Sequence, residues 1–351
     1  HYEARPLLMP DRSSRREFGF MFYGPGLMQR HLAFPAAKDL RDFLVSRVPA
    51  HAYYSTAYYE RPDAPTMEEK GWLGADLIFD LDADHIPKSK EMSYEEMLEA
   101  VKRKIVQLHD DFLVRDFGFD EKSLRIVFSG GRGYHIHVHD ERVWPLGSHE
   151  RREIVDYITG KEFDFGSVFR ESVFDVKEFR GHRYAKKRIV MVAPREAKGW
   201  ERKVVEGIHQ LAKALEPPVG IEKAVEFLSS FEGISREDAR RLWDNLFEPL
   251  TWKNGRPVRS VDGLLETGQI EVLHDKNVRK LISIVRQLQE VRLDEFKGVS
   301  LEGIVPRGET DEPVTSDIKR LIRLPSSIHG KSGLEVIPLA RDALDAFTPL
   351  R

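Results

Sequence analysis

Apolar positions recur along this chain with two rhythms, and each rhythm predicts a different element. Residues 76–82 read DLIFDLD, in which Leu77, Phe79 and Leu81 alternate with Asp76, Ile78, Asp80 and Asp82, and the stretch predicts a strand. Residues 124–128 predict a second strand that runs into Ser129-Gly130-Gly131-Arg132-Gly133, and residues 135–139 predict a third. Residues 93–113 carry apolar side chains three and four apart, with Ser93 and Glu96 at capping-box spacing, which predicts a long helix. Aromatics on either side of Gly24-Pro25-Gly26 predict a hairpin over 15–34. A short amphipathic helix is predicted over 37–48, an aromatic strand-prone stretch over 53–61 and a helix over 149–158. From 198 to 297 the helical rhythm dominates, and the closing segment returns to short apolar runs and turns.

Strands and helices that mix without regular βα alternation predict an α+β fold. The expected architecture is a mixed sheet core flanked by helices, with a helical subdomain inserted before the C-terminal core segment. The expected division is 1–197 for the first part of the core, 198–299 for the subdomain and 300–351 for the return segment. A chain of 351 residues suffices for a core plus a subdomain.

Composition narrows the function classes. No apolar run approaches ~18 residues, so no membrane-spanning helix and no membrane partner are expected. The opening residues carry no secretory signal pattern, and a cytoplasmic location is expected. The chain opens on His1, so further N-terminal residues are expected to precede it. There is no cysteine, which excludes disulfides and cysteine-held zinc or iron–sulfur centres within the sequence. The net charge is −3, so any nucleic-acid contact must come from local basic patches or from a partner subunit.

Three constellations carry candidate chemistry. On the first strand Asp80 and Asp82 share a face, joined by Asp84 if the strand continues. Carboxylates at the end of an apolar strand repel one another unless a cation neutralises them, and such a pair suits one or two divalent ions. The plain alternative is a solvated strand end with ordinary surface acids. The second constellation is the glycine turn, whose backbone amides can crowd an anion while Ser129, Arg132 and His135 supply side-chain donors. It lacks the lysine and the following helix of a Walker loop, and its alternative is a simple β-turn. His137 and His139 share the face of His135 and are expected to line an open cleft rather than bind a metal. The third constellation is Asp311, then Arg320-Leu321-Ile322-Arg323 and His329-Gly330-Lys331, where a strand or short helix would present Arg320 and Arg323 to a polyanion. Arg16-Glu17 and Arg30-His31 form a weaker cluster, expected to be a surface hairpin with routine ion pairs.

In this order the constellations resemble the small catalytic subunit of archaeal and eukaryotic-type DNA primases. That family has a DxD after an apolar strand, an SGxxGxH turn, and a late aspartate followed by a basic segment with histidine. The matching residues are Asp80 and Asp82; Ser129, Arg132 and His135; and Asp311, Arg323 and His329. The opening REF…RHLAF is similar to the family's N-terminal motif at Glu17, Arg30 and His31. The resemblance implies primer synthesis on a single-stranded DNA template from nucleoside triphosphates. Asp80, Asp82 and Asp311 would hold two Mg²⁺ or Mn²⁺ ions, while Ser129, Arg132, His135, Arg323 and His329, with Arg30, would bind the nucleotide. It also implies a large primase subunit as partner and an archaeal source.

The sequence departs from the family in one place. Members commonly carry a Cys/His zinc knuckle between the DxD and the glycine turn, whereas this chain has DHIPKSKEMSYEEMLEAVKRK there, so no structural zinc is expected. Rival readings are a primase-polymerase or end-joining polymerase of the same superfamily, a metal-dependent phosphohydrolase or nuclease, and a non-catalytic nucleic-acid-binding subunit.

Overall fold

The computed structural model describes residues 1–350 apart from 25, 87–88, 162, 181, 192–195, 217–219, 254–255, 271–272, 291–294, 297–298 and 301–307. The chain divides into two compact units, one made of residues 1–161 and 308–351 and the other of residues 162–307.

The first unit begins with strands β1 (Phe18–Met21) and β2 (Gln29–Leu32), helix α1 (Ala37–Arg47), then β3 (His51–Ser55), β4 (Ala57–Tyr59), β5 (Trp72–Ala75) and β6 (Leu77–Asp82). Helix α2 (Tyr94–Gln107) follows, then β7 (Leu124–Phe128), β8 (Gly133–Val138) and helix α3 (Ser148–Thr159). The predicted capping box is present at Ser93 and Glu96, and beyond Gln107 the helix widens into π-type turns over Leu108–Val114.

The second unit holds a long antiparallel hairpin, β9 (Phe169–Phe179) with β10 (His182–Met191). Among the described residues five helices follow: α4 (Gly199–Ala214), α5 (Ile221–Leu228), α6 (Arg236–Phe247), α7 (Ser260–Thr267) and α8 (Asp275–Glu290). Their apolar stripes close a core from Val204, Leu211, Phe227, Leu242, Leu264 and Leu281. The described residues of the unit also include two short strand pairs, β11 (Pro249–Lys253) with β12 (Arg256–Arg259) and β13 (Glu295–Phe296) with β14 (Val299–Ser300). The helical stretch read from the sequence thus shares its unit with a β-hairpin that precedes it.

The chain then returns to the first unit with α9 (Glu312–Ser316), β15 (Leu321–Arg323) and β16 (Ile337–Leu339). The two returning strands complete separate sheets, ordered β15-β3-β1-β2 and β16-β7-β8-β6. Every pairing within these sheets is antiparallel. The first unit is therefore a mixed α+β assembly of antiparallel sheets and helices.

An apolar core forms between the two sheets. Phe18, Phe20, Tyr54, Ile322 and Leu324 from the first sheet pack with Ile78 of β6. Because side chains alternate along a strand, the face that carries Ile78 also carries Asp80 and Asp82. The same face therefore changes from apolar core to acid within four residues, and that transition locates the site.

Beneath β6 lies a buried polar clamp. Arg16 and Asp76 are 0% and 1% exposed and meet at 2.5 Å, while Tyr58 Oη donates to the second Asp76 oxygen at 2.7 Å. Arg16 also donates to the Ser55 and Thr56 carbonyls, and Arg151 of α3 donates to those of Asp76 and Ala75. The expectation of a surface hairpin with routine ion pairs at Arg16-Glu17 is corrected here, since both residues are completely buried. Their partners come from strands distant in sequence, which no local pattern announces.

Candidate nucleotide and metal site

Asp80 and Asp82 stand at the end of β6, and cross-strand register places His135 opposite Asp80 and Gly133 opposite Asp82. The His135 Nε2 lies 3.4 Å from Asp80 Oδ1. β6 is an edge strand, so its outer carbonyls are open to other donors. Asp311 uses that edge: its backbone N–H donates to the Asp80 carbonyl at 2.9 Å. One hydrogen bond thus ties a residue more than two hundred positions away to the first aspartate.

The electrostatics follow from this crowding. Burial pushes the Asp80 carboxyl up, and the negative charges of Asp82 and Asp311 push it further, against the opposing pull of His135 and Arg320. Burial likewise lowers the basicity of His135. His135 Nε2 stays close to the Asp80 carboxylate, while its buried Nδ1 has no protein partner.

Asp84 does not extend the acidic face. β6 stops at Asp82, whose side chain caps a short 3-10 turn over Ala83–His85. Asp84 turns to Arg132 instead, at 2.6 Å, with Asp82 3.4 Å from the same guanidinium. Arg132 is half exposed, and a bound polyanion would have to compete with these two acids for it.

The glycine turn brings the third constellation into contact with the second. The Ser129 hydroxyl accepts from the Gly131 N–H at 3.3 Å, and the Ser332 hydroxyl donates to the Gly130 carbonyl at 2.5 Å. Gly130 has φ +74°, and a Cβ there would lie 2.8 Å from the His329 Cβ, so both conformation and space call for glycine. Arg323 on β15 donates to His51 Nδ1 at 3.0 Å and to Tyr53 Oη at 3.3 Å. The His51 and His329 rings meet edge to face with centroids 5.0 Å apart. Partial burial and the charge of Arg323 lower the pKa of His329 to about 4, so at neutral pH its imidazole is uncharged.

The expected sites are therefore not all brought together. Asp80, Asp82, Asp311 and His135 form one group, and Ser129, Arg323 and His329 gather around the glycine turn beside it. Arg30 lies elsewhere, on the far edge of the first sheet, three strand spacings or roughly 14 Å from β15. There it makes a two-pronged contact with buried Glu17, at 3.0 and 3.2 Å. The histidines on β8 also differ from an open cleft lining: His135 and His137 are 4% and 1% exposed, and Tyr54 Oη meets His137 Nδ1 at 3.1 Å. His51 and Tyr53 were not singled out in the sequence. Their only signal was the strand alternation of HAYYS, which sets both on one face of β3.

Among the described residues no three His, Asp or Glu side chains are gathered tightly enough to enclose a metal by themselves. Magnesium rarely asks for that, since it is held by one or two carboxylates plus substrate phosphates and water. Asp80, pushed toward protonation by burial and by the charges of Asp82 and Asp311 at the end of an apolar strand, fits such a divalent ion. No described helix is long and apolar enough to cross a membrane.

A family model described as DNA primase small subunit matches residues 79–340, which spans all three constellations. The chain is 42% identical over 367 residues to the DNA primase small subunit PriS of Methanocella arvoryzae, covering all of this chain and 82% of that protein. It is 39% identical over 354 residues to the protein of the same description from Methanococcoides burtonii, again covering all of this chain and 82% of that protein. With so extended a match on top of this geometry, the chain belongs to the DNA primase small subunit family and is a nucleotidyltransferase.

Proposed function

We propose that this chain forms the phosphodiester bonds of a primer on a single-stranded DNA template, taking nucleoside triphosphates as substrates through a two-metal site. The observation that carries the reading is the convergence of Asp80, Asp82 and Asp311 at the end of β6, with Asp80 pushed toward protonation by burial and by the charges of the other two. Asp80, Asp82 and Asp311 would hold two Mg²⁺ or Mn²⁺ ions. Such ions acidify an attacking hydroxyl and neutralise a departing pyrophosphate.

The protein's own groups do the positioning. The amides of the glycine turn, with Ser129, Arg323 and neutral His329, offer donors to a triphosphate beside the acids. Arg132 would exchange Asp84 for phosphate oxygens as the nucleotide enters. His135, fixed by register opposite Asp80, orients that carboxylate and keeps a donor at the boundary between acids and phosphates. Catalysis then rests on fixed geometry and charge neutralisation.

The relatives' description as a small subunit supports pairing with a large primase subunit, which would supply further template contacts to this chain. A cytoplasmic location is proposed with it. No structural zinc is proposed, since the chain has no cysteine; the stretch in question includes residues 87–88, outside the described residues.

Primer synthesis on a single-stranded template with labelled nucleotides and Mn²⁺ tests the reading. Asp82→Asn should lower it by at least about 100-fold with the fold intact. Near-normal synthesis by that variant would refute the assignment of the acids, and degradation of the template in place of extension would favour a nuclease.

A further inference from the structure

The net charge of −3 leaves open where a polyanionic template is gripped. The long hairpin of the second unit carries the most unequal distribution of charge on a regular element. Residues 169–191 contain seven Lys and Arg against three Asp and Glu.

The pairing register sorts these charges by face. Cross-strand partners point to the same side, and neighbours along a strand to opposite sides. Arg170 pairs with Val190, Ser172 with Arg188, Asp175 with Lys186 and Lys177 with Tyr184. A bulge at Phe174 restores the phase between the two halves of the hairpin. These pairs lie on one face, with Arg170, Lys177, Lys186 and Arg188 against the single acid Asp175. The opposite face carries Glu171, Glu178, Arg183 and Lys187, which balance.

Independent contacts support the sorting. The balanced face pairs its charges among themselves: Lys187 binds Glu171 at 3.1 Å, Arg279 of α8 reaches Glu171 at 3.5 Å, Arg183 lies opposite Glu178 in the register, and the face is buried at Ile189. On the basic face Arg170, Lys177, Lys186 and Arg188 are all exposed, and Phe174 is 54% exposed with the Arg188 guanidinium 5.7 Å from its ring centre. Lys186 and Asp175 are 4.0 Å apart, a loose pair that leaves the net charge of the face positive.

Exposed cations spaced along an extended ribbon, with an aromatic ring between them, suit single-stranded nucleic acid: phosphates meet the charges and a base stacks on the ring. We propose that the basic face of the β9–β10 hairpin binds the single-stranded DNA template. The choice of template as occupant rests on the primase reading; the charged face itself does not.

The test compares two double variants that remove equal charge from opposite faces, Lys177→Gln/Arg188→Gln and Arg183→Gln/Lys187→Gln. Binding of a labelled oligothymidylate to the full chain is measured from 0.05 to 0.5 M salt. Each phosphate contact on a single strand contributes a slope of about −0.7 in log affinity against log salt. The basic-face variant should therefore flatten the slope by roughly 1.4, which is about 25-fold weaker binding at 0.1 M salt if the curves converge at 1 M. The other variant should keep the wild-type slope, and Phe174→Ala should weaken binding about fivefold or more without altering it. Primer synthesis should be unchanged in the Arg183→Gln/Lys187→Gln variant. Equal flattening in both double variants would overturn the proposal, as would a wild-type slope in the basic-face variant. Loss of a partner subunit from that variant with intact DNA binding would also overturn it, by making the face a protein contact. Failure of the primase reading would look different, because the wild-type chain would then make no primer.

Discussion

Gly133 is the position at which the smallest substitution should have the largest catalytic effect. It opens β8 directly opposite Asp82. A Cβ at this residue would collide with the Leu81 carbonyl oxygen, and would stand 2.9 Å from the Asp82 Cα and 3.1 Å from the Leu81 carbonyl carbon. All three obstacles are backbone atoms of β6, so no side-chain rotation relieves them. Gly133→Ala must part the two strands at their acidic end by something on the order of 1 Å, at a stability cost of about 1–3 kcal/mol. Asp80 and Asp82 move with the strand, and a 1 Å misplacement of reacting groups lowers rates by about 100-fold. Steady-state primer synthesis should thus fall by about two orders of magnitude in kcat/KM, while the urea midpoint shows that the protein remains folded. Gly26→Ala is the control, since a Cβ there meets nothing within 4 Å. Activity within twofold of wild type in Gly133→Ala would refute the claim that β6–β8 registration sets the position of the acids.

Three further outcomes follow from the buried groups. Asp76→Asn leaves the buried Arg16 guanidinium without its counter-ion and should destabilise the first unit by about 3–5 kcal/mol, read from denaturant midpoints; a loss below 1 kcal/mol would contradict the clamp. Burial holds the pKa of His137 well below its ordinary value, so the unfolded chain takes up a proton that the folded chain refuses. Stability should therefore fall as pH drops below about 6.5, with a slope approaching 1.4 kcal/mol per pH unit for this one group, and equal midpoints at pH 7.5 and 5.5 would refute it. His329, with a pKa near 4, should act as a neutral donor, so His329→Gln should retain much more nucleotide affinity than His329→Ala, with no KM inflection from this residue between pH 6 and 8.

The sequence showed the local pieces of the site and not their supports. The alternation of Leu77, Phe79 and Leu81 against Asp80 and Asp82 is a short-range pattern, and β6 follows it residue for residue. The SGGRG turn and the Ser93–Glu96 cap were legible for the same reason, since glycine conformations and cap hydrogen bonds are settled within a few residues. Asp84 was legible only conditionally, and the strand ended one turn too soon to include it. By contrast, the fate of a charged residue depends on what lies across the fold. Arg16 and Glu17 read as surface residues because charges usually are, yet their partners Asp76, Tyr58, Arg30 and Lys70 come from other elements. His51 escaped notice likewise, because its contacts with Arg323 and Gly330 span more than 270 residues.

The hydrogen bond from Asp311 to Asp80 has a consequence for how the protein is made. Two sheets of the first unit receive their last strand, β15 or β16, from the final segment of the chain. A ribosome that has finished β8 must still translate the whole of residues 162–307 before those strands emerge, on the order of 10–30 s at ordinary rates. Throughout that interval β3 and β7 each present an unpaired edge, and the carboxylates of β6 lack their third member. The nascent chain is therefore vulnerable to edge-to-edge association until β15 and β16 emerge and seal both edges.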